Sequence, residues 1–207
     1  MKGKFVTFEG PEGVGKSHQI RRLEQYLKDN GIKYYLTREP GGTEISEQIR
    51  KIILDSNNKS MCDECEALLY SAARAQLLKE TVIPKLENGE LVFCDRYIDS
   101  SFAYQAYARG LGREFVESIN SFAIKNCMPD CTIFLNLIPE EAFKRKGGVD
   151  KTDRLELSGS EFHKKVYEGY LECARLAKER IKVIDASGTK DQTHAKIIDA
   201  LKKAGII

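Results

Sequence analysis

Hydrophobic residues occur along the 207-residue chain in two alternating patterns. Short apolar runs are typical of strands, whereas apolar residues that recur every three or four positions indicate helices with one buried face. Runs that are apolar throughout, such as 91–94 and 132–135, suit a parallel sheet covered on both faces. The alternation of strands and helices therefore predicts a doubly wound α/β fold with a five-stranded parallel sheet. The strands are predicted at 5–8, 33–37, 91–94, 132–135 and 183–184.

Three helices are predicted between the first three strands. The first is expected to end near Asn30 and Gly31, a helix-stop pair. For the third, the spacing of Ser60 and Asp63 predicts a capping box at its start. The predicted apolar faces carry Ile20, Leu23 and Leu27 in the first helix, Ile45, Ile49, Ile52 and Ile53 in the second, and Leu68, Leu69, Ala72, Leu77 and Leu78 in the third.

Charge and composition narrow the choice of partners. The chain has 33 Lys and Arg against 31 Asp and Glu, a formal net charge of +2. Such a balance gives no field that would hold a nucleic acid or a membrane surface, so neither is expected as a partner. No apolar run approaches a membrane span or a signal-peptide core, and six cysteines are too few for a disulfide framework. We expect one cytoplasmic domain over residues 1–207.

A phosphate-binding loop lies between the first strand and the first helix. The segment matches G-x-x-x-x-G-K-[ST] in the strand-to-helix position that this motif requires. Glycines let backbone N–H groups face phosphate oxygens, while Lys16 reaches the β- and γ-phosphates and the Ser17 hydroxyl binds Mg²⁺. The predicted ATP-binding residues are Gly10, Pro11, Glu12, Gly13, Val14, Gly15, Lys16 and Ser17.

Charged residues at the ends of two further strands suggest what the loop serves. Asp95 closes the apolar run 91–94 and is expected to be the second Mg²⁺ ligand, although an Asp there could also cap the next helix. Arg38 and Arg96 end the second and third strands. Because carboxyl ends of parallel strands meet in one crevice, the two guanidiniums would clamp an acceptor phosphate.

A small kinase explains these features better than a switch GTPase. The segment after Asp95 lacks the glycine of D-x-x-G, and the nearest guanine-type motif, at 150–153, follows a Gly-Gly pair and not a strand. A kinase also needs a cover that excludes water. The basic segment at about 144–154 contains that Gly-Gly pair and is predicted to be this lid.

Five ordered motifs resemble the thymidylate kinases, a family of P-loop nucleoside monophosphate kinases. They are FEG at 8–10 before the P-loop, TREPGGT at 37–43, LYSAARAQ at 69–76, DRY at 95–97 with SSFAYQ at 100–105, and DRLE at 153–156. The resemblance extends from about residue 5 to residue 186. It implies a P-loop NTPase fold, transfer of the ATP γ-phosphoryl group to dTMP with Mg²⁺, and a homodimer.

The resemblance also implies roles for single residues. Glu9 is similar to the acid that meets the sugar 3′-hydroxyl, and Tyr104 to the ring that selects deoxyribose. The predicted catalytic residues are Lys16, Asp95, Arg96 and Arg145. The implied acceptor-binding residues are Glu9, Arg38, Tyr70, Arg74, Arg96, Ser101, Tyr104 and Gln105, with Tyr70 stacking on thymine, Arg74 at a base carbonyl, and Ser101 and Gln105 near the base edge.

Two alternatives stay open. One is a P-loop kinase for another nucleotide acceptor. The other is a module organised by zinc bound to Cys62, Cys65, Cys127 and Cys131. The lid departs from the family pattern because Arg145 is its only arginine before the glycines. Arg145, Lys146 and Lys151 are therefore all candidates for the group that stabilises the transition state, and Arg145 is our hypothesis.

Overall fold

The computed structural model describes residues 2–146, 154, 155 and 159–207, without the side chain of Lys146. Its five strands form one parallel sheet in the order β2-β3-β1-β4-β5. The strands are β1 (Lys4–Glu9), β2 (Tyr34–Arg38), β3 (Leu91–Asp95), β4 (Cys131–Asn136) and β5 (Ile181–Asp185). The predicted fold class and strand number are therefore confirmed.

Helices connect the strands and cover the sheet. The α-helices are α1 (Lys16–Asp29), α2 (Glu44–Leu54), α3 (Asp63–Leu77), α4 (Ile83–Glu87), α5 (Ile98–Ser101), α6 (Arg113–Ile119), α7 (Ser121–Asn126), α8 (Pro139–Lys146), α9 (Gly159–Leu176) and α10 (Lys190–Lys203). Two segments have π-helical geometry, π1 (Leu78–Val82) between α3 and α4 and π2 (Phe102–Ala108) after α5.

Neighbouring residues of the strands enter different cores, because successive side chains of a strand point to opposite faces. Phe5 packs with α3, π1, π2 and α9 on one face, whereas Val6 packs with α1 and α10 on the other. Phe134 and Ile133 of β4 divide in the same way. Apolar cover on both faces explains why these strands lack polar alternation.

The strand register brings distant polar residues to one edge. Arg38 lies opposite Asp95 in the β2–β3 pair, and Phe8 lies opposite Asp95 in the β1–β3 pair. The next residue of β1 is Glu9. Three residues that the sequence singles out thus meet at the carboxyl ends of neighbouring strands, which is where open α/β sheets bind ligands.

Two local predictions were wrong. The helix expected to be capped by Ser60 begins at Asp63, and its N-cap Cys62 makes no side-chain capping bond. The bend that follows α2 at 55–61 forms turns of its own, so Ser60 lies outside the helix. On α2 only Ile53 of the four predicted isoleucines is fully buried, while Ile45 and Ile52 are about half exposed, at 51% and 48%.

Most of the predicted lid lies outside the described residues. Gly147, Gly148 and Lys151 lie outside the described residues, and so does the guanine-like segment at 150–153.

In the part of the chain that is described, no helix has the length and hydrophobicity to cross a bilayer.

Candidate active site

The phosphate-binding loop joins β1 to α1, as the motif requires. Gly10 has φ of 149°, and a Cβ there would stand 2.9 Å from the Leu135 carbonyl oxygen, so a larger residue does not fit. Gly15 adopts the left-handed conformation at the N-cap, and its carbonyl accepts the N–H groups of His18 and Gln19. Helix α1 therefore begins at Lys16 with its N-terminus at the loop, an arrangement that favours phosphate binding.

Lys16 and Asp95 form an ion pair between the loop and β3. The Lys16 Nζ lies 2.8 Å from Asp95 Oδ1, and both side chains are largely buried. Ser17 and Asp95 line one cavity of about 450 Å³. Their hydroxyl and carboxylate are oxygen donors of the kind that Mg²⁺ takes alongside substrate phosphates, so the residues present fit this metal.

A second cavity, of about 250 Å³, lies beside this pair and shares Arg38 and Asp95 with the first. Its lining includes nine residues that the sequence singles out: Glu12, Lys16, Arg38, Tyr70, Asp95, Arg96, Ser101, Tyr104 and Gln105. These come from the loop, β2, α3, β3 and the α5–π2 region. The fold thus gathers both halves of the predicted site around one space, which we call the acceptor cavity.

Three arginines line the acceptor cavity. Arg96 has φ of 70°, an unusual value for a residue other than glycine, and ion-pairs with Glu12 of the loop. Arg38 is held by Glu47, 3.0 Å away, and by the Pro40 carbonyl. Arg50 of α2 also donates to that carbonyl, at 2.8 Å, so a third guanidinium that the sequence analysis missed faces the cavity.

Glu9 is fully buried and lies at the centre of a hydrogen-bond network. Its carboxylate accepts the Tyr97 N–H at 2.8 Å, the Ser100 hydroxyl at 2.6 Å and the Tyr170 hydroxyl at 3.0 Å. Burial, and then repulsion from the carboxylate of Asp99, raise the pKa of Glu9 to about 7. Glu9 does not line the acceptor cavity directly.

Tyr170 of α9 joins this network to Arg96. Its hydroxyl accepts from Arg96 Nη1 at 2.9 Å and lies 2.8 Å from the Ser100 hydroxyl. Nothing in the sequence near Tyr170 marks it, because it comes 74 positions after Arg96 and reaches the site only through the packing of α9 against π2.

The remaining predicted base-site residues divide into two groups. Tyr70, Tyr104, Ser101 and Gln105 line the acceptor cavity. Arg74 does not line it; its guanidinium is buried, with Nε 2.8 Å from Glu39 and Nη1 donating to Ser101 and Asn120. Its role at a base carbonyl stays a prediction.

Arg145 lies at the end of α8. Its guanidinium donates to the carbonyl oxygens of Ala186 and Ser187, at 2.6 and 2.7 Å, just beyond β5. These contacts place Arg145 at the carboxyl edge of the sheet but outside the lining of the acceptor cavity. Its catalytic role stays a prediction.

The zinc alternative is not supported. Cys62 and Cys65 are exposed at the start of α3, while Cys127 and Cys131 are buried in the two different cores. Within residues 2–146, 154, 155 and 159–207, no three His, Cys, Asp or Glu side chains form a group that could hold a metal ion. Burial raises the pKa of the Cys127 thiol to about 12, which disfavours the thiolate that zinc requires.

Together, the parallel sheet, the Lys16–Asp95 pair and the arginine-lined cavity define a P-loop nucleotide phosphotransferase with a second, acceptor site. A thymidylate kinase family profile matches residues 8–197. The chain is 48% identical over 203 residues to the thymidylate kinase of Clostridium novyi, covering 97% of this chain and 99% of that protein. It is 49% identical over 209 residues to that of Bacillus velezensis, covering 98% and 99%. The chain belongs to the thymidylate kinase family.

Proposed function

We propose that this chain transfers the γ-phosphoryl group of ATP to dTMP, giving dTDP and ADP. The observation that carries the proposal is the acceptor cavity, whose lining combines residues of the phosphate-binding loop with arginines and with aromatic and amide side chains. A hydrolase has no need of such a second site. Membership in the thymidylate kinase family supports dTMP as the acceptor.

On the donor side, the loop residues 10–17 would bind the ATP phosphates. Lys16 would bridge the β- and γ-phosphates, and its pairing with Asp95 holds its ammonium group at the mouth of the cavity. Ser17 and Asp95 would hold Mg²⁺, which neutralises phosphate charge when bound. Arg145, at the same edge of the sheet, would approach the transferring group from α8.

On the acceptor side, Arg38 and Arg96 would bind the dTMP phosphate. Their present partners, Glu47 and Glu12, are carboxylates that keep each guanidinium oriented. Tyr70 would stack on thymine, Tyr104 would crowd the sugar 2′ position, and Ser101 and Gln105 would meet the base edge. Glu9, with its raised pKa, would meet the 3′-hydroxyl through its hydrogen-bond network.

The proposal includes a cytoplasmic homodimer that binds neither nucleic acid nor membrane. Six free cysteines support a reducing compartment. Half-exposed Ile45, Ile52 and Leu68 on the adjoining helices α2 and α3 support an apolar contact between two copies. The nearly balanced charge argues against a polyanionic partner.

A coupled ADP-release assay tests the acceptor. The purified protein, with ATP and Mg²⁺, is offered dTMP, dUMP, UMP, dGMP and AMP, and we expect the highest kcat/KM with dTMP.

Lys16→Met should reduce turnover by at least about a thousandfold, since it removes the positive charge that stabilises the transferring phosphoryl group. Lys33→Met, an exposed lysine on the same chain, is the matched control and should keep turnover within about twofold.

Two outcomes would contradict the proposal. A preference for another acceptor would assign the cavity to a different nucleotide. Near-normal turnover of a folded Lys16→Met protein would remove the loop from catalysis.

A further inference from the structure

Glu66 is a fully buried carboxylate in the first turn of α3 that contacts three segments of the chain. Its Oε1 accepts from Gln105 Nε2 at 2.9 Å. Its Oε2 accepts from Arg109 Nη2 at 3.0 Å and from Arg154 Nη2 at 2.5 Å. Glu66 itself does not line the acceptor cavity, whereas Gln105 does. It therefore acts on the cavity only through its partners.

The carboxylate is charged despite its burial. Desolvation alone would raise the pKa of Glu66, but hydrogen bonds from Arg109, Gln105 and Arg154 hold that pKa below its usual value. An ionised carboxylate has only acceptor atoms. Any hydrogen-bonding partner of Glu66 must therefore present a donor.

This requirement fixes the orientation of the Gln105 amide. The NH₂ group must face Glu66, because turning the amide over would place two acceptor oxygens against each other. Gln105 is only 2% exposed, and it lines the acceptor cavity. With Nε2 held by Glu66, the oxygen Oε1 is the acceptor that this amide offers to a ligand in the cavity.

The same carboxylate also holds Arg154, the residue before Leu155. Besides its bond to Glu66, Arg154 donates from Nε to the Ile53 carbonyl at 3.1 Å and from its backbone N–H to the Leu54 carbonyl. The next residue, Leu155, is buried and lines the acceptor cavity. Glu66 thus holds two walls of the cavity in place, one polar and one apolar.

We propose that Glu66 is a positioning residue that determines base specificity by fixing the Gln105 amide with its oxygen toward the base. The inference rests on the proposed function, in which Gln105 meets the base edge. Thymine carries a donor at N3–H, which suits a fixed acceptor. Cytosine carries a lone pair at N3, which the fixed oxygen repels and a freed amide could satisfy by turning over.

The test compares kcat/KM for dTMP with kcat/KM for dCMP in the purified full chain. In Glu66→Gln the new side chain can donate as well as accept, so the Gln105 amide is no longer held in one orientation. We expect the dTMP:dCMP ratio to fall by at least about tenfold, with KM for dTMP raised more than kcat is lowered. If Glu66 had a purely structural role, the substitution would lower kcat/KM for both substrates by the same factor and leave their ratio unchanged.

Asp63→Asn is the matched control. Asp63 lies in the same helical turn and pairs with Arg109 at 3.3 Å, whereas Gln105 and Arg154 both donate to Glu66. The substitution removes one negative charge beside the same arginine, so the ratio should stay within about twofold of the wild-type ratio if orientation, not charge, sets it.

A second variant guards against failure to fold, because Glu66→Gln removes a buried negative charge that both Arg109 and Arg154 contact. Glu66→Gln combined with Arg109→Gln keeps the net charge of the cluster unchanged and should show the same fall in ratio, whereas Arg109→Gln alone should not. An unchanged ratio in either folded Glu66 variant overturns the inference. If the wild-type protein itself fails to prefer dTMP, the proposed function fails instead.

Discussion

At the scale of single residues, Glu9 shows how burial alters the chemistry of a side chain at the site. It ends the central strand β1, is fully buried, and has a pKa of about 7 because burial and Asp99 both disfavour its charge. Between its ordinary pKa and this value the folded protein binds a proton that the unfolded chain has released. By linkage, this group makes the free energy of unfolding fall as pH rises through that window.

Glu9→Gln should therefore flatten the loss of stability between about pH 4.5 and pH 7. The contribution of Glu9 is at most about 3 kcal/mol across this range, and the variant lacks it. Urea unfolding at several pH values measures the difference, with the exposed acid variant Glu114→Gln as control. Parallel pH curves for wild type and Glu9→Gln would show that Glu9 does not titrate near neutrality.

At the scale of elements, the π-helical segment π2 shapes the acceptor cavity. Tyr104 and Gln105 lie on it, and π-helical turns often occur at functional sites. Helix α9 packs closely against π2 because Gly169 has no side chain; a Cβ there would lie 2.8 Å from the Ala103 Cα. The same packing brings Tyr170 to Arg96. The position of π2 is therefore set by a helix distant in sequence.

Tyr104→Ala should narrow the preference for deoxyribose. The buried ring of Tyr104 lines the cavity, and its removal leaves room for a 2′-hydroxyl. We expect the dUMP:UMP ratio of kcat/KM to fall by about tenfold or more. Tyr107→Ala is the control, because Tyr107 lies on the same segment but is exposed and outside the cavity. Equal ratios in wild type and Tyr104→Ala would remove Tyr104 from this role.

At the scale of the whole molecule, the apolar surface of α2 and α3 is the feature that the isolated chain leaves unexplained. The helices pack on each other, yet Ile45, Ile52 and Leu68 remain about half exposed. The three-to-four-residue spacing predicted a buried face, and a second copy of the chain would bury it. The division of residues 1–207 into one domain with a lid at about 144–154 stays a prediction.

Ile52→Glu should convert a homodimer into monomers. The substitution places a charge in the proposed apolar contact, where burial without a partner costs several kcal/mol. Light scattering coupled to size exclusion should give about twice the chain mass of 23.4 kDa for the wild type and the single mass for the variant. Val183→Glu, on the edge strand β5 at the far side of the sheet from β2, is the control. A monomeric wild type would contradict the homodimer.

The sequence by itself determined the strands, the phosphate-binding loop and the residues at strand ends. These features depend on neighbours in the chain: an apolar run forms a strand, and a glycine loop before Lys16 forms a phosphate site wherever it joins a strand to a helix. The parallel order of strands then follows from the alternation of elements, so the meeting of Arg38 and Asp95 could be predicted.

Only the tertiary structure decided which other side chains complete the site. Tyr170, Arg50 and Glu66 reach the cavity or its supporting network because helices from distant parts of the chain pack there, and no local pattern marks them. The failed capping box at Ser60 has the same cause, since a local signal yields where the packed helix begins at Asp63. Local signals fix the backbone's elements, whereas the contacts that orient a guanidinium or an amide depend on long-range packing.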